Sequence, residues 1–276
     1  MISASTRVAA VIGSPVRHSL SPAMHNAGFA ATGVDWLYTA FEVEGGATAA
    51  ALDAMRVLGL GGLSVTMPHK EAAADLVDEL DPAAAALHSV NTVVPVGDGR
   101  LRGYSTDGAG FVASLAAQGV EIAGQGVAVL GAGAAARAIV DALARAGAAT
   151  ITVVNRSAGR AEVAVQLAPG VATVGRPEAI GACDIVVNAT SIGMASTDLP
   201  CDPQLIHAGQ VVADIVYHPR RTALLTAAAG RGARTVEGLG MLVHQGLLQQ
   251  RLWTGVSPDA AVMWSAAERE LASRGQ

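Results

Sequence analysis

Lysine is almost missing from this chain of 276 residues: of its 18 Lys and Arg residues, 17 are Arg and only Lys70 is Lys. A guanidinium stays protonated in proteins, whereas an ammonium gives up its proton when its surroundings lower its pKa. Where arginine fills every other basic position, the lone Lys is a candidate proton carrier, with an ordinary helix-start surface lysine as the alternative. Cysteine is nearly as scarce. Cys183 and Cys201 make no disulfide scaffold, and no CxxC or Cys/His cluster points to a metal, so none is expected. Charged residues are only 15% of the chain, the net charge is −5 and the arginines are scattered. That balance argues against nucleic-acid or anionic-membrane binding. No apolar run reaches membrane-spanning length. The opening MISASTRVAAVIGSP has no charged stretch followed by a long apolar core, so no signal peptide is read and a cytoplasmic location is expected.

What is present is a 51% hydrophobic chain, enough for a substantial core. Short β-branched runs alternate with Ala-rich helical stretches, the pattern of an α/β fold with parallel strands. Strands are predicted at Val8–Ile12, Trp36–Val43 and Leu63–Val65, with helices over Pro22–Ala31, Ala47–Leu58, Lys70–Leu80 and Pro82–His88. Asn91–Val96 and Leu101–Tyr104 flank Gly97-Asp98-Gly99-Arg100, a hairpin signal that makes the first sheet mixed. A helix over Gly108–Gln118 leads into a second series. Its strands are Val127–Leu130, Thr150–Val154, Ile185–Asn188, Val211–Ile215 and Arg234–Val236. Helices Ala134–Ala146, Ala158–Leu167 and Thr222–Gly230 separate them, and Met241–Trp253 and Ala260–Arg274 close the chain. Two domains follow: a mixed-sheet α/β domain over 1–106, completed by helices from 241–276, and a Rossmann-type domain over 107–240.

The segment Gly131-Ala132-Gly133-Ala134-Ala135-Ala136 fits GxGxxA, the turn that sets a pyrophosphate on a helix N-terminus. With 32 glycines, chance matches are expected, and Gly108–Ala113 is one. Context separates them. Gly131 follows a strand of the kind buried on both faces, opens a long helix and precedes a second strand; Gly108 lacks that setting and reads as a helix start. The second strand ends in Asn155-Arg156-Ser157-Ala-Gly-Arg160, without the carboxylate that accepts from an NAD ribose. Arg156 and Arg160 suit a 2′-phosphate, which predicts NADP(H).

Four polar segments interrupt the apolar pattern at or just after strand ends. They are GSPVRHSLSPAMHN (13–26, with Ser19 and Ser21), SVTMPHK (64–70), SVNT (89–92) and YSTDG (104–108). Ligands of open α/β sheets sit at the carboxyl ends of strands. Together these segments offer hydroxyls, an amide, an ammonium and a carboxylate, which suits a small polyhydroxylated acid.

Taken in order, these segments resemble the shikimate dehydrogenase family over essentially the whole chain. They continue with GAGAAAR, NRS, NATSIGM (188–194), DIVYHPRRT (214–222) and GLGMLVHQ (238–245). The resemblance implies NADP-dependent interconversion of 3-dehydroshikimate and shikimate in aromatic amino acid biosynthesis, with a substrate domain facing a Rossmann domain across a cleft. It implies that Ser19 and Ser21 hold the substrate carboxylate, and that Ser64, Thr66, Lys70, Asn91, Asp107 and Gln245 contact the ring hydroxyls, with Tyr217 beside the substrate. On the cofactor side it implies Gly131, Ala132, Gly133, Ala134, Ala135, Asn155, Arg156, Ser157, Arg160, Thr190, Ser191, Ile215 and Gly238. Three positions depart from the family pattern. Ser64 replaces the usual Asn, so that one hydroxyl loses an amide partner or gains a water; Ser105 replaces Asn, and Ala134 replaces Gly.

The hydride chemistry belongs to the cofactor, so the protein needs positioning and one acid/base group. Lys70 is the candidate, with Asp107 orienting it and anchoring a neighbouring hydroxyl. His18, His25 and His69 are expected to pack or bond backbone, Cys183 to pack at a strand start, and Trp253 and Trp264 to fasten the terminal helices. A quinate/shikimate or aminoshikimate dehydrogenase is the nearest alternative, kept open by Ser64. A non-catalytic NADP-sensing protein is a remote one, and a homodimer is compatible with any of these.

Overall fold

The computed structural model describes residues 2–274. The chain divides into two compact units, Met1–Thr106 with Gln245–Gln276, and Asp107–His244. The first unit runs β1 (Arg7–Gly13), α1 (Ser21–Thr32), β2 (Trp36–Glu42), α2 (Thr48–Leu58), β3 (Gly62–Val65), α3 (Lys70–Leu76), β4 (Glu79–Leu80), α4 (Pro82–Leu87), β5 (Thr92–Gly97) and β6 (Arg100–Tyr104). These strands form one sheet in the order β2-β1-β3-β5-β6-β4. It is mixed: β1 pairs parallel with β2 and β3, while β5 runs antiparallel to both β3 and β6. Alternate residues of β1 serve opposite faces. Ala10 and Ile12 pack with Leu52 and Met55 of α2, whereas Ala9 and Val11 pack with Phe29, Tyr38 and Trp253.

One predicted helix is shorter than its Ala-rich sequence suggests. The expected Lys70–Leu80 helix stops at Leu76; Val77 turns extended, and Glu79–Leu80 becomes β4, parallel to β6. Pairing with the sheet wins over local propensity. Asp78 N donates to Leu101 O at 2.9 Å, its carboxylate accepts from Leu101 N at 2.7 Å, and Glu79 pairs with Arg100 and Arg102.

The second unit contains α5 (Asp107–Ala117), β7 (Gly126–Leu130), α6 (Ala134–Arg145), β8 (Thr150–Val154), α7 (Ala158–Val165), β9 (Ala172–Val174), β10 (Ile185–Asn188), β11 (Val211–Asp214), α8 (Ala223–Gly230) and β12 (Arg234–Val236). Its strands lie in the order β12-β11-β10-β7-β8-β9, all pairs parallel. Numbered from β7, that is the 3-2-1-4-5-6 order of a doubly wound nucleotide fold, with its switch point between β7 and β10. β7 is buried on both sides. Val127 and Val129 join a core with α5, α6 and α7, and Ala128 and Leu130 join one with Leu224, Leu225 and Ala228 of α8. The three-residue edge strand β9 has no counterpart in the sequence reading. Gly108 lies in the first turn of α5, where a Cβ would run into Ala138 O of α6; helix packing accounts for this second glycine-rich match.

The chain ends in α9 (Leu239–Thr254) and α10 (Ala260–Ser273). Trp253 of α9 is buried in the first unit and donates from Nε1 to Val93 O at 3.1 Å. Trp264 is only half-buried and spends its Nε1 on Glu268 of its own helix. Cys183 packs as expected, buried with its thiol directed at Ala179 O.

Candidate functional site

Sheet register gathers the polar segments of the first unit. β1 and β3 finish side by side, with Ile12 beside Val65. Because β5 is antiparallel, it starts where β3 ends, Ser64 lying opposite Thr92, and β6 returns to the same edge, Tyr104 opposite Thr92. Thr66 N donates to Ile12 O at 3.0 Å and Val65 N to Asn91 O at 2.8 Å, locking these strand ends together. Ser64, Thr66 and Asn91 therefore collect at these strand ends; Val90 N donates to Lys70 O at 2.9 Å, and Ser21, bonded to Ser19, meets the Tyr38 hydroxyl that bonds Ser64. Gln245 opens the returning segment of this unit, whereas Asp107 and Tyr217 belong to the second unit.

Each member has an identifiable support. The Ser19–Ser21 loop is tied by Ser21 N donating to Ser19 Oγ at 3.2 Å. The Arg274 guanidinium donates to His18 O at 2.6 Å and Ser19 O at 3.2 Å while paired with Glu270. Lys70 is the first residue of α3, and His69 before it is buried. Val43 O can only accept, so His69 Nε2 donates to it at 2.7 Å and Nδ1 accepts from the Thr48 hydroxyl at 2.8 Å. His69 is thus a fastener for the start of α3. His25 likewise has a structural environment, stacked on Tyr38 with ring centroids 4.3 Å apart. Burial holds its pKa down to about 3, against a smaller upward pull from its hydrogen bond with Gln249.

Beneath this edge runs a buried polar network that the sequence reading missed. Tyr38 Oη lies 2.6 Å from Ser64 Oγ, and Ser64 Oγ lies 2.8 Å from Gln249 Oε1. Gln249 Nε2 reaches Thr92 Oγ1 at 2.9 Å and Asn91 O at 3.3 Å. Asn91 is bonded in turn to Thr92 and Thr106. The Tyr38 hydroxyl also meets Ser21; burial pushes the phenol pKa upward, and its hydrogen bonds with Ser64 and Ser21 oppose the shift. The readable trace was on α9, where Gln245 and Gln249 stand one turn apart and share a face.

In the second unit, the loop after β7 has the geometry of a phosphate cradle. Gly131 takes φ +115°, a conformation glycine adopts without strain, and a Cβ there would lie 2.9 Å from Ala189 O. Gly133 caps α6, and a Cβ on it would meet nothing within 4 Å, so there is open space before the helix N-terminus. Ala132 is buried, and Ala134 and Ala135 form the first turn. At the end of β8, Asn155 Nδ2 donates to Ser157 O at 2.9 Å, and Arg156, Ser157 and Arg160 are exposed. Open space at a helix N-terminus, two exposed arginines and no carboxylate at this strand end fit a dinucleotide with a 2′-phosphate.

The neighbouring loops are held by Asn188, Asp214 and Thr222, all buried. Thr190 donates to Asn188 Oδ1 at 2.7 Å; Asn188 Nδ2 and Thr222 Oγ1 donate to the two Asp214 oxygens at 2.9 and 2.7 Å. Burial raises the Asp214 pKa, opposed by these bonds and by Val216 N. Ser191 is exposed on the loop after β10. Gly238 approaches Ile215 so closely that a Cβ would lie 2.6 Å from Ile215 O.

Residues 11–93 match the family described as the shikimate dehydrogenase substrate binding domain, 114–196 the shikimate/quinate 5-dehydrogenase family and 238–268 the shikimate 5′-dehydrogenase C-terminal domain. A shikimate dehydrogenase (NADP(+)) of Rubrobacter xylanophilus is 44% identical, with 98% of each chain covered. One of Moorella thermoacetica is 43% identical over 95% of this chain and 92% of its own. The shikimate 5-dehydrogenase of Thermus thermophilus, crystallised with NADP(H) and shikimate, superposes with a TM-score of 0.90 at 36% identity, covering 96% of this chain and 99% of that one. Sequence matches over most of the chain, agreement of the whole fold and a nucleotide loop suited to NADP converge: the chain belongs to the shikimate dehydrogenase family.

Proposed function

We propose that this enzyme interconverts 3-dehydroshikimate and shikimate with NADP(H), using Lys70 as the proton carrier. The observation that carries this reading is that register and backbone hydrogen bonds bring Ser64, Thr66 and Asn91 together at strand ends, with Lys70 O bonded to Val90 N beside Asn91 and Ser21 linked through the Tyr38 hydroxyl to Ser64. Ser19 and Ser21 bind the substrate carboxylate, and Thr66, Asn91 and Gln245 take the ring hydroxyls. Lys70 donates a proton to the carbonyl oxygen during reduction and accepts it from the hydroxyl in reverse. Asp107 orients the lysine, and Tyr217 lies by the substrate. Bound NADPH supplies the hydride. On this reading Gly131–Ala135 cradle its pyrophosphate, Asn155, Arg156, Ser157 and Arg160 take the 2′-phosphate end, and Thr190, Ser191, Ile215 and Gly238 line the remainder.

No helix among the described residues is long and apolar enough to cross a membrane. A cytoplasmic site of action belongs to the same reading. Steady-state assays at 340 nm with shikimate and quinate, each with NADP+ and NAD+, test it. The highest kcat/KM is expected for shikimate with NADP+. A preference for quinate would transfer the assignment to the quinate branch, an alternative that Ser64 in place of the usual Asn keeps open.

A further inference from the structure

We propose that Gln249 is a positioning residue of the substrate site, fixing Ser64 as a hydrogen-bond acceptor toward the bound ring. The inference rests on the assignment of this sheet edge to substrate, and its argument is one of donors and acceptors. Gln249 is 2% exposed, and both ends of its amide are engaged. The backbone carbonyl of Asn91 can only accept, so the amide nitrogen must face it, and its two N–H groups go to Asn91 O and Thr92 Oγ1. Oε1 then faces Ser64 and His25. The His25 ring is neutral and donates from Nε2, leaving Nδ1 as a buried lone pair without a partner.

The polarity of the remaining bonds follows. Ser64 has one proton and gives it to Gln249 Oε1, so it accepts from the Tyr38 hydroxyl. Tyr38 has spent its only proton, so in its bond with Ser21 it accepts. Toward a ligand, Ser64 retains a lone pair and no proton. On the other side, Thr92 Oγ1 accepts from Gln249 and donates to Asn91 Oδ1 at 2.8 Å. Thr106 N–H donates to the same oxygen at 2.9 Å. Both lone pairs of Asn91 Oδ1 are thereby used, and its Nδ2 donates to Thr106 Oγ1 at 2.9 Å, so the Gln249–Thr92 bond holds the Asn91 amide in one orientation. A ring hydroxyl beside Ser64 must donate. Such a site rejects a ligand lacking that donor, because the buried Ser64 oxygen is then left without a partner for its remaining lone pair.

The test is a double-mutant cycle of Gln249→Met, which keeps the chain length and removes the amide, with Ser64→Ala. Gln249→Met is expected to raise KM for shikimate about tenfold, while kcat and KM for NADP+ stay within about twofold. The double variant is expected to be little worse than the poorer single one, because Gln249 acts through Ser64. An unchanged KM for shikimate, additive effects, or equal losses in both KM values and kcat would overturn the inference. A second measurement does not depend on a folded variant: the Gln249 side-chain amide signal of the intact protein, followed by NMR. It is expected to shift on adding shikimate and not on adding NADP+ alone; no shift with shikimate overturns the inference. A wild-type protein inactive on shikimate takes both readings down, whereas an active wild type with an unaffected Gln249→Met variant removes this one alone.

Discussion

His69 and Thr48 are joined by a 2.8 Å hydrogen bond that ties the start of α3 to the start of α2. Since Lys70 is the next residue, this buried pair sets where the ammonium stands. Thr48→Val keeps the shape and leaves His69 Nδ1 unpaired. It should cost about 1–3 kcal/mol of stability in urea unfolding and lower kcat for shikimate more than it affects KM for NADP+. Thr48→Ser should restore both.

Removing Lys70, the proposed proton carrier, should have a larger effect. General acid/base action contributes about 10²–10⁴-fold, so Lys70→Ala should lower kcat at least about a hundredfold with NADPH affinity nearly intact. Lys70→Arg should fare no better, since a guanidinium does not surrender its proton. Substantial turnover in either variant would remove Lys70 from the mechanism.

Much of this architecture was legible because its signals are local. The apolar run Val127–Leu130 and the glycines after it announced a strand buried on both faces and a nucleotide turn. Asp98 between Gly97 and Gly99 announced the hairpin that makes the first sheet mixed. Long-range pairing was not legible. Glu79–Leu80 looked helical because its partners on β6 lie about twenty residues on, and β9 is three residues of mixed polarity at a sheet edge. Ser64 read as the loss of an amide; the structure supplies one from Gln249, 185 residues away. No spacing rule connects them, because only the return of α9 to the first unit brings them together.

On the proposed reading, cofactor choice rests on the strand end carrying Asn155 and Arg156. Arg156→Ala should leave the pyrophosphate cradle untouched while removing a charge-assisted partner for the 2′-phosphate. The ratio of kcat/KM with NADP+ to that with NAD+ should fall about tenfold or more, mainly through KM for NADP+. Equal losses with both cofactors would instead assign Arg156 to the fold.

The Ser19–Ser21 loop, assigned by the proposal to the substrate carboxylate, is held from the far end of the chain. Arg274 donates to His18 O and Ser19 O, so Arg274→Ala frees the backbone that presents Ser19. Its effect should be a few-fold rise in KM for shikimate, with unchanged KM for NADP+ and little change in melting temperature, since the guanidinium lies at the surface. Arg274→Lys should recover only part, an ammonium being unable to span both carbonyls with a planar fork.

His25 gives the first unit a specific sensitivity to acid. Folded, its pKa is held to about 3 by burial, against 6.5 as the ordinary value. Between those values the unfolded chain binds a proton that the folded chain does not, so stability rises with pH across the window. Lowering the pH from 7 to 5 should therefore cost roughly 2 kcal/mol through this one group. His25→Phe keeps an aromatic ring against Tyr38 and removes the titration. It gives up the hydrogen bond to Gln249 at every pH, so its stability is lower throughout but its slope is shallower. Urea midpoints at pH 5 and pH 7 for both proteins isolate the effect, since other titrating groups cancel in the comparison. A wild-type loss that exceeds the variant's by about 2 kcal/mol is expected; parallel losses would mean that the imidazole is reached by water and protonates within the fold.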